Sequence, residues 1–520
     1  MLVIAAPLQQ ILDTVSALLH EARQLVDQTL YIRLEPGYQW PCRKTIFTSE
    51  EVSLLRAIVL DIYREAAREC SHLDVRVLQG FLKNSDSRTS SLDKKVDVII
   101  AQNDFVHLEE YVRELFAVIP SVRLVPPVIA ASGTEDAAKV VDSITFDSVC
   151  VGGTFDRLHL GHKLLLSAAV ARATERLVIG VTDGDMIKSK VLWELIEPLE
   201  VRMSALRKCL NDMDPTLKYD ILPIYEPFGP TIRDRSLQCL CVSDETIKGG
   251  LKVNEERANK DFPPMALFNV SLLPEQNKME KFMDDKISSS SKRIALLGEI
   301  LRKPRAHPSF PEYPFVVGLT GGICAGKSRI LTIFESLGLT CISADKLGHE
   351  AYSPGTELNQ ILVDTFGTAV RAADGTIDRK ELGAIVFADA DKRDRLNQLV
   401  WPEIEKSLQR EIAGAGRAGA RVVVVEAALL FEAGWDRLAH LVCYTLISEK
   451  EAISRVMVRD KCGYELALKK IHSQKPAKMF IDRAHMILSS MWDERATEQQ
   501  VHRAFEEIVD HVQGIKTHSG

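Results

Sequence analysis

Phe315-Val316-Val317-Gly318-Leu319-Thr320-Gly321-Gly322-Ile323-Cys324-Ala325-Gly326-Lys327-Ser328 is the stretch on which the fold of this 520-residue chain turns. The apolar run from Phe315 to Leu319 reads as a short buried strand. It passes directly into Gly-x4-Gly-Lys-Ser, and Ser328 to Leu337 carries helical spacing. Strand, glycine-rich turn and helix in that order make a phosphate cradle. The glycines let main-chain N–H groups curl inward, and the helix N-terminus adds partial positive charge. Gly321, Gly322, Ile323, Cys324, Ala325 and Gly326 would line a polyphosphate, Lys327 would reach its outer phosphates, and the Ser328 hydroxyl would meet Mg2+. Cys324 is read as a small residue that fits the turn.

The same grammar recurs on either side. Leu339 to Ser343 reads as a second strand ending at Ala344-Asp345, and Arg421 to Val425 as a third ending at Glu426. Carboxylates at strand C-termini face the crevice where open α/β sheets bind ligands. Asp345 is placed to take a proton from an attacking hydroxyl, or to cap the helix that follows. Glu426 is placed for an outer contact to Mg2+. Arg455 and Arg459, four apart on a helical stretch, are expected to close over a nucleotide and stabilise transferring charge; a solvated helix face is the other reading.

Upstream, a strand from Asp147 to Val151 enters Gly152-Gly153-Thr154-Phe155-Asp156-Arg157-Leu158-His159-Leu160-Gly161-His162. His159 and His162 share one face at a helix start. Gly161 keeps that face flat for a base or phosphate, and imidazoles there can donate hydrogen bonds to an anion. With no nucleophilic side chain in the motif, the arrangement suits stabilising charge during attack on an α-phosphate. Lys188 and Lys190 follow a strand at Val178 to Val181. Ser288-Ser289-Ser290-Ser291 precedes an amphipathic helix expected over Ile294 to Leu301.

Composition bounds the rest. Hydrophobic content of 46% and charged content of 26% are those of a globular protein, and the length calls for several domains. A net charge of −7 argues against a bulk nucleic-acid binder. Ten cysteines without CxxC pairs read as free thiols, not zinc ligands. No apolar run reaches the ~18 residues of a membrane span. Leu8, Ile11, Leu12, Val15, Leu18 and Leu19 follow helical spacing. They read as a core helix, with a membrane-surface or mitochondrial import role as the other reading. Prolines concentrate in Ile119–Val141 and Lys303–Pro314. They divide the chain into an N-terminal α/β region (1–125), a linker (126–144), a second domain (145–302), a Pro-rich linker (303–312) and a third domain (313–515). Strands alternating with helices make the second and third domains parallel-sheet α/β folds in tandem.

Gly153-Thr154-Phe155-Asp156, His159-Leu160-Gly161-His162 and Ile287-Ser288-Ser289-Ser290 resemble phosphopantetheine adenylyltransferase, a Rossmann-like nucleotidyltransferase. The glycine-rich turn, Ser343-Ala344-Asp345, Ile377-Asp378-Arg379, Leu429-Leu430-Phe431-Glu432, Arg459-Asp460 and Gln474 resemble dephospho-coenzyme A kinase. The two in this order resemble the animal bifunctional coenzyme A synthase family. Leu30 to Leu34 and His72 to Arg76 extend the likeness weakly into the first region. The resemblance implies adenylyl transfer from ATP to 4′-phosphopantetheine, then phosphorylation of the dephospho-coenzyme A ribose 3′-hydroxyl by a second ATP. It implies that His159, His162 and Lys188 or Lys190 serve the first step, with Gly153, Thr154, Phe155, Gly161, Ser288, Ser289 and Ser290 around the nucleotide. For the second step it implies Lys327, Asp345 as base and Arg459, with Arg379, Phe431 and Glu432 on the acceptor. His349, Trp401, Ala428 and Ser489 depart from the kinase pattern, which bears on the acceptor and adenine contacts. Cytosol and mitochondrion both fit such an enzyme. A nucleotide-like acceptor of another kind, or a nucleotide-binding scaffold without catalysis, are the alternatives.

Overall fold

The computed structural model describes residues 1–36, 47–80, 92–116, 118–126, 144–275, 283–306 and 314–518. Most of the linker expected at 126–144 and more than half of that at 303–312 lie outside these residues. The chain forms two compact units, Met1–Arg293 and Ile294–Gly520.

The first unit holds two parallel five-stranded sheets. One is built from β1 (Leu2–Ile4), β2 (Thr29–Leu34), β3 (Asp74–Val77), β4 (Val98–Gln102) and β5 (Ser121–Val125), in the order β3-β2-β1-β4-β5. Its helices are α1 (Leu8–Ala22), α2 (Ser49–Glu69) and α3 (Leu108–Leu115). Ile11, Val15, Leu18 and Leu19 of α1 are fully buried, so its apolar stripe is spent on the core. A capping box starts α2: the Thr48 hydroxyl accepts from the Glu51 N–H at 3.2 Å, and the Glu51 carboxylate accepts from the Thr48 N–H at 2.9 Å.

The second sheet comprises β6 (Phe146–Gly153), β7 (Ala173–Thr182), β8 (Lys218–Ile224), β9 (Cys239–Ser243) and β10 (Ala266–Val270), ordered β10-β9-β6-β7-β8. Its helices are α4 (Leu160–Arg172), α5 (Leu199–Met213), α6 (Ile247–Ala258) and α7 (Ser289–Ala295). The helix expected over Ile294 to Leu301 is therefore displaced. The hydroxyl run itself forms the helix, and the chain leaves it after Ala295. Nearly every residue of α4 from Leu164 to Arg172 is buried, as a helix apolar on all sides requires. One side lies on the sheet and another on α2, and a single apolar core runs through both sheets.

The second unit is ordered β12-β13-β11-β14-β15, from β11 (Phe315–Gly321), β12 (Thr340–Ser343), β13 (Val422–Glu426), β14 (Leu441–Leu446) and β15 (Met486–Ser489). Helices α8 (Lys327–Ser336), α9 (Ala344–Ala351), α10 (Glu357–Phe366), α11 (Arg379–Ala388) and α12 (Ala390–Arg417) precede and flank β13; α13 (Glu449–Asp460), α14 (Tyr464–His472), α15 (Ala477–Ile481) and α16 (Glu494–His518) complete it. β11, β13 and β14 are buried throughout, the near-continuous apolar reading of a sheet covered on both faces. Leu319 and Ser343 both pair with Glu426, so the three strands end level beneath the glycine-rich turn. No helix among the described residues is long and apolar enough to cross a membrane.

Candidate active sites

In the first unit the site forms where β6 turns into α4. His159 is the N-cap, and its Nδ1 accepts from the His162 N–H at 3.4 Å. The two rings stack with centroids 3.8 Å apart, and Phe155 lies against His162 at 5.3 Å. A Cβ at Gly161 would meet the His159 ring at 3.2 Å, so a side chain there would push the ring aside by a few tenths of an ångström. Phe155 and Arg157 hold positive φ of 50° and 47° on either side of Asp156, strain of the kind kept at functional turns.

Asp156 is fully buried and is the hub. Its carboxylate accepts from Arg293 Nη1 at 2.5 Å, Arg157 Nη1 at 3.0 Å and the Glu197 N–H at 3.0 Å. Its carbonyl accepts from the Ser289 hydroxyl at 2.9 Å, which stands 3.5 Å from His159 Nε2. Thus Ser289 touches both the Asp156 main chain and the His159 ring. Ser290 accepts a long bond from Arg293 at 3.4 Å, whereas Ser288 turns to Asp284 at 2.5 Å. Thr154 and Gly153 sit at the strand end; the Thr154 carbonyl accepts from Arg202 Nη1 at 2.8 Å.

Burial drives both imidazoles toward the neutral form. His159 falls well below its ordinary value through desolvation, then through His162 and the charges of Lys292, Lys163 and Lys286. His162 drops to about 4 through desolvation, with Lys190 and Lys163 adding to it against Asp156. Because His159 Nδ1 accepts a hydrogen bond, its neutral ring carries the proton on Nε2. Positive charge beside the two rings comes from lysines. Lys190 is exposed as a residue, yet desolvation of its ammonium and then Arg293 lower its pKa. Lys188 is turned outward to Asp185 at 2.6 Å, so the structure brings Lys190, not Lys188, to the histidines.

In the second unit the glycine-rich turn is drawn tight. Lys327 Nζ donates to the carbonyls of Gly321 and Gly322 at 3.0 and 3.1 Å, and Gln474 accepts from the Ile323 N–H at 2.9 Å. Gly326 caps α8 at φ 87°, and a Cβ there would meet Ser490 Oγ at 2.8 Å. Ser328 is exposed in the first turn of α8. Arg455 does not form a lid. Its guanidinium donates to the Cys324 carbonyl at 3.2 Å and to the Ser490 hydroxyl and carbonyl at 2.7 and 2.5 Å, so it braces the turn. Arg459 is exposed and held by Asp460 at 2.7 Å.

Facing the turn, Ser343 is the N-cap of α9, so Asp345 lies inside the first turn and does not cap it. Ser343 Oγ donates to Glu426 Oε2 at 3.0 Å. Burial, then the neighbouring Asp345 charge, raise the Glu426 pKa. Desolvation lowers Lys327, opposed by Glu426 and Asp345. Arg379 is close to Tyr352 and to His349, and both feel Asp345. His349 and Tyr352, from the end of α9, and Arg379, from the start of α11, thus gather beside that carboxylate, Tyr352 without any sequence signal. Phe431 is buried, stacked 5.3 Å from Phe480 with Arg483 4.5 Å over it; Glu432 is half-buried in the same turn. Arg202, Arg293 and Asp156 were not read as site residues. Among them only Asp156 had a signal, its place inside Gly-Thr-Phe-Asp.

Residues 315–492 match the family profile described as dephospho-CoA kinase. Residues 150–295 match the cytidylyltransferase-like profile, and residues 1–113 the COASY N-terminal domain. Dephospho-CoA kinase of Bacillus licheniformis is 36% identical over 188 residues, 36% of this chain and 94% of that protein. That of Geobacter sulfurreducens is 36% identical over 193 residues, 37% of this chain and 96% of that protein. The solved structure of dephospho-CoA kinase from Campylobacter jejuni is 27% identical, covering 37% of this chain and 96% of that one with a TM-score of 0.31.

Proposed function

This chain belongs to the dephospho-CoA kinase family, and from that premise we propose that it performs the last two steps of coenzyme A biosynthesis in one polypeptide. The observation that carries the reading is the order of matched segments, a cytidylyltransferase-like domain ahead of a dephospho-CoA kinase domain, each with its own strand-to-helix turn.

In the first step a phosphate oxygen of 4′-phosphopantetheine attacks the α-phosphorus of ATP, the bond to the bridging oxygen breaks, and pyrophosphate leaves. Neutral His159 donates from Nε2, and His162, stacked on it, holds that ring in place. Lys190, whose charge reaches the His162 ring, balances the charge that builds on the α-phosphate oxygens. The Asp156–Arg293 pair keeps the hydroxyl run of α7 against this turn.

In the second step the ribose 3′-oxygen of dephospho-coenzyme A attacks the γ-phosphorus of ATP and ADP leaves. Asp345 takes the hydroxyl proton, and Arg379 with Tyr352 orients the acceptor. Lys327 leaves the Gly321 and Gly322 carbonyls for the β- and γ-phosphates. The residues fit Mg2+, since Glu426 is buried beside a second carboxylate, Asp345, whose charge raises its pKa, with Ser328 at the helix start. When bound, Mg2+ would neutralise the polyphosphate charge.

The full chain incubated with ATP, Mg2+ and 4′-phosphopantetheine, followed by mass spectrometry, is expected to form dephospho-coenzyme A and then coenzyme A. Formation of neither refutes the reading.

A further inference from the structure

Lys163 follows His162 directly, and its backbone N–H donates to the His159 carbonyl at 3.0 Å. Its side chain is almost fully buried and does not enter the site. It reaches instead into the N-terminal sheet and donates to Asp74 on β3. Asp74 also accepts from Arg76 Nη2 at 2.7 Å, and Arg76 Nη1 donates to Asp212 of α5 at 2.5 Å. Asp212 further accepts from the Tyr31 hydroxyl at 3.0 Å and the Asp93 N–H at 2.8 Å. The result is a chain of alternating charge, Lys163–Asp74–Arg76–Asp212. It crosses twice between the N-terminal sheet and the helices of the adenylyl-transfer sheet. A further crossing is made by the Gln79 N–H to the Met213 carbonyl at 2.5 Å.

A paired charge at a mostly buried place adds little stability over an apolar contact, but the Lys163 ammonium, 3% exposed, has its partner in Asp74, which Arg76 holds from the other side. Successive helical residues are about 100° apart around the axis, at 3.6 residues per turn. Holding the Lys163 ammonium at Asp74 therefore sets the rotation of α4, and with it the direction of His162 one residue earlier and His159 one turn earlier. Packing of α2 along α4 supplies the apolar part of the same grip.

We propose that the N-terminal domain is a positioning element for the adenylyl-transfer site, acting through the Lys163–Asp74 pair on the helix that carries both histidines. This rests on the reading of His159 and His162 given above. Lys163 and Asp74 touch no substrate; they act through α4.

The test uses the full chain, in which phosphorylation of supplied dephospho-coenzyme A reports the second unit independently. Asp74→Asn is expected to lower kcat of the first step by roughly ten- to a hundredfold, the range a small misplacement of reacting groups costs. KM for ATP should change less than kcat, and the second step should be unchanged. Asp74→Glu, which keeps the charge, is expected to recover most of the rate. If Asp74→Asn does not fold, Lys163→Met is measured instead, since it leaves the Asp74–Arg76 pair in place, and the same loss of kcat is expected. An unaltered first-step kcat in the folded neutral variant, or an Asp74→Glu chain as slow as Asp74→Asn, overturns the proposal. A His162→Ala chain that consumes 4′-phosphopantetheine normally would instead overturn the site assignment beneath it.

Discussion

Arg293→Met removes one half of a pair whose side chains are 1% and 0% exposed and 2.5 Å apart. Breaking such a pair leaves a buried charge, at a cost of about 3–5 kcal/mol. Asp156 keeps Arg157 and the Glu197 N–H at 3.0 Å each, which places the cost near the lower end, about 3 kcal/mol. The Val191 carbonyl also loses its donor, Arg293 Nε at 2.9 Å. At roughly 2–4 °C per kcal/mol for a unit of this size, the melting temperature of Met1–Arg293 should fall by about 6–12 °C. Thermal unfolding read by peptide-resolved hydrogen exchange follows that unit apart from Ile294–Gly520. First-step turnover should fall as well, since Ser289 and His159 lean on the same turn, while the second step persists. Asp156→Leu combined with Arg293→Met should recover part of the stability, because the two partners are coupled. A melting temperature within about 1 °C of the parent in the single variant would show that the pair holds nothing.

Gly326→Ala forces a side chain into φ 87° with Ser490 Oγ at 2.8 Å. At about 1–2 kcal/mol of backbone cost, KM for ATP in the second step should rise roughly tenfold with the first step untouched; steady-state kinetics of each step decides. Asp345→Asn should lower second-step kcat by about 10²–10⁴-fold while nucleotide still binds; normal turnover would assign the base elsewhere. The His162 pKa of about 4, set chiefly by burial, lies below its ordinary 6.5. Above pH 6.5 the ring is neutral folded or unfolded and its stabilisation is complete. As pH falls from 6.5 toward 4 the unfolded chain gains a proton that the folded ring refuses, so stability drops. Denaturant melts of the parent and His162→Gln across that window should show a shallower loss in the variant; equal slopes would contradict the burial of this ring.

The β11–turn–α8 segment was legible because motif and periodicity coincide, and each needs the other at that spacing. β12 and β13 were equally open to reading, each as a short strand-like run leading to a carboxylate. β1 and β10 were not: three and five residues with no alternation to separate them from loops. The strand at β5 falls in a proline-rich stretch read as a break. What the sequence concealed in the sites is side-chain direction. Lys188 and Lys190 are indistinguishable in a loop, and only the fold turns one outward to Asp185. Arg455 and Arg459 share a helix face on paper, but Ser490, 35 residues away, takes Arg455. The Asp74–Lys163 contact spans 89 positions, a distance over which no local pattern speaks.

The division of labour is tested most directly by mixing two inactive halves. His162→Ala is expected to convert supplied dephospho-coenzyme A but not 4′-phosphopantetheine, and Lys327→Ala to stop at dephospho-coenzyme A. The mixture should then make coenzyme A from 4′-phosphopantetheine. Coenzyme A made from 4′-phosphopantetheine by either variant alone, or none from the mixture, contradicts two separate phosphate-gathering turns each carrying one step.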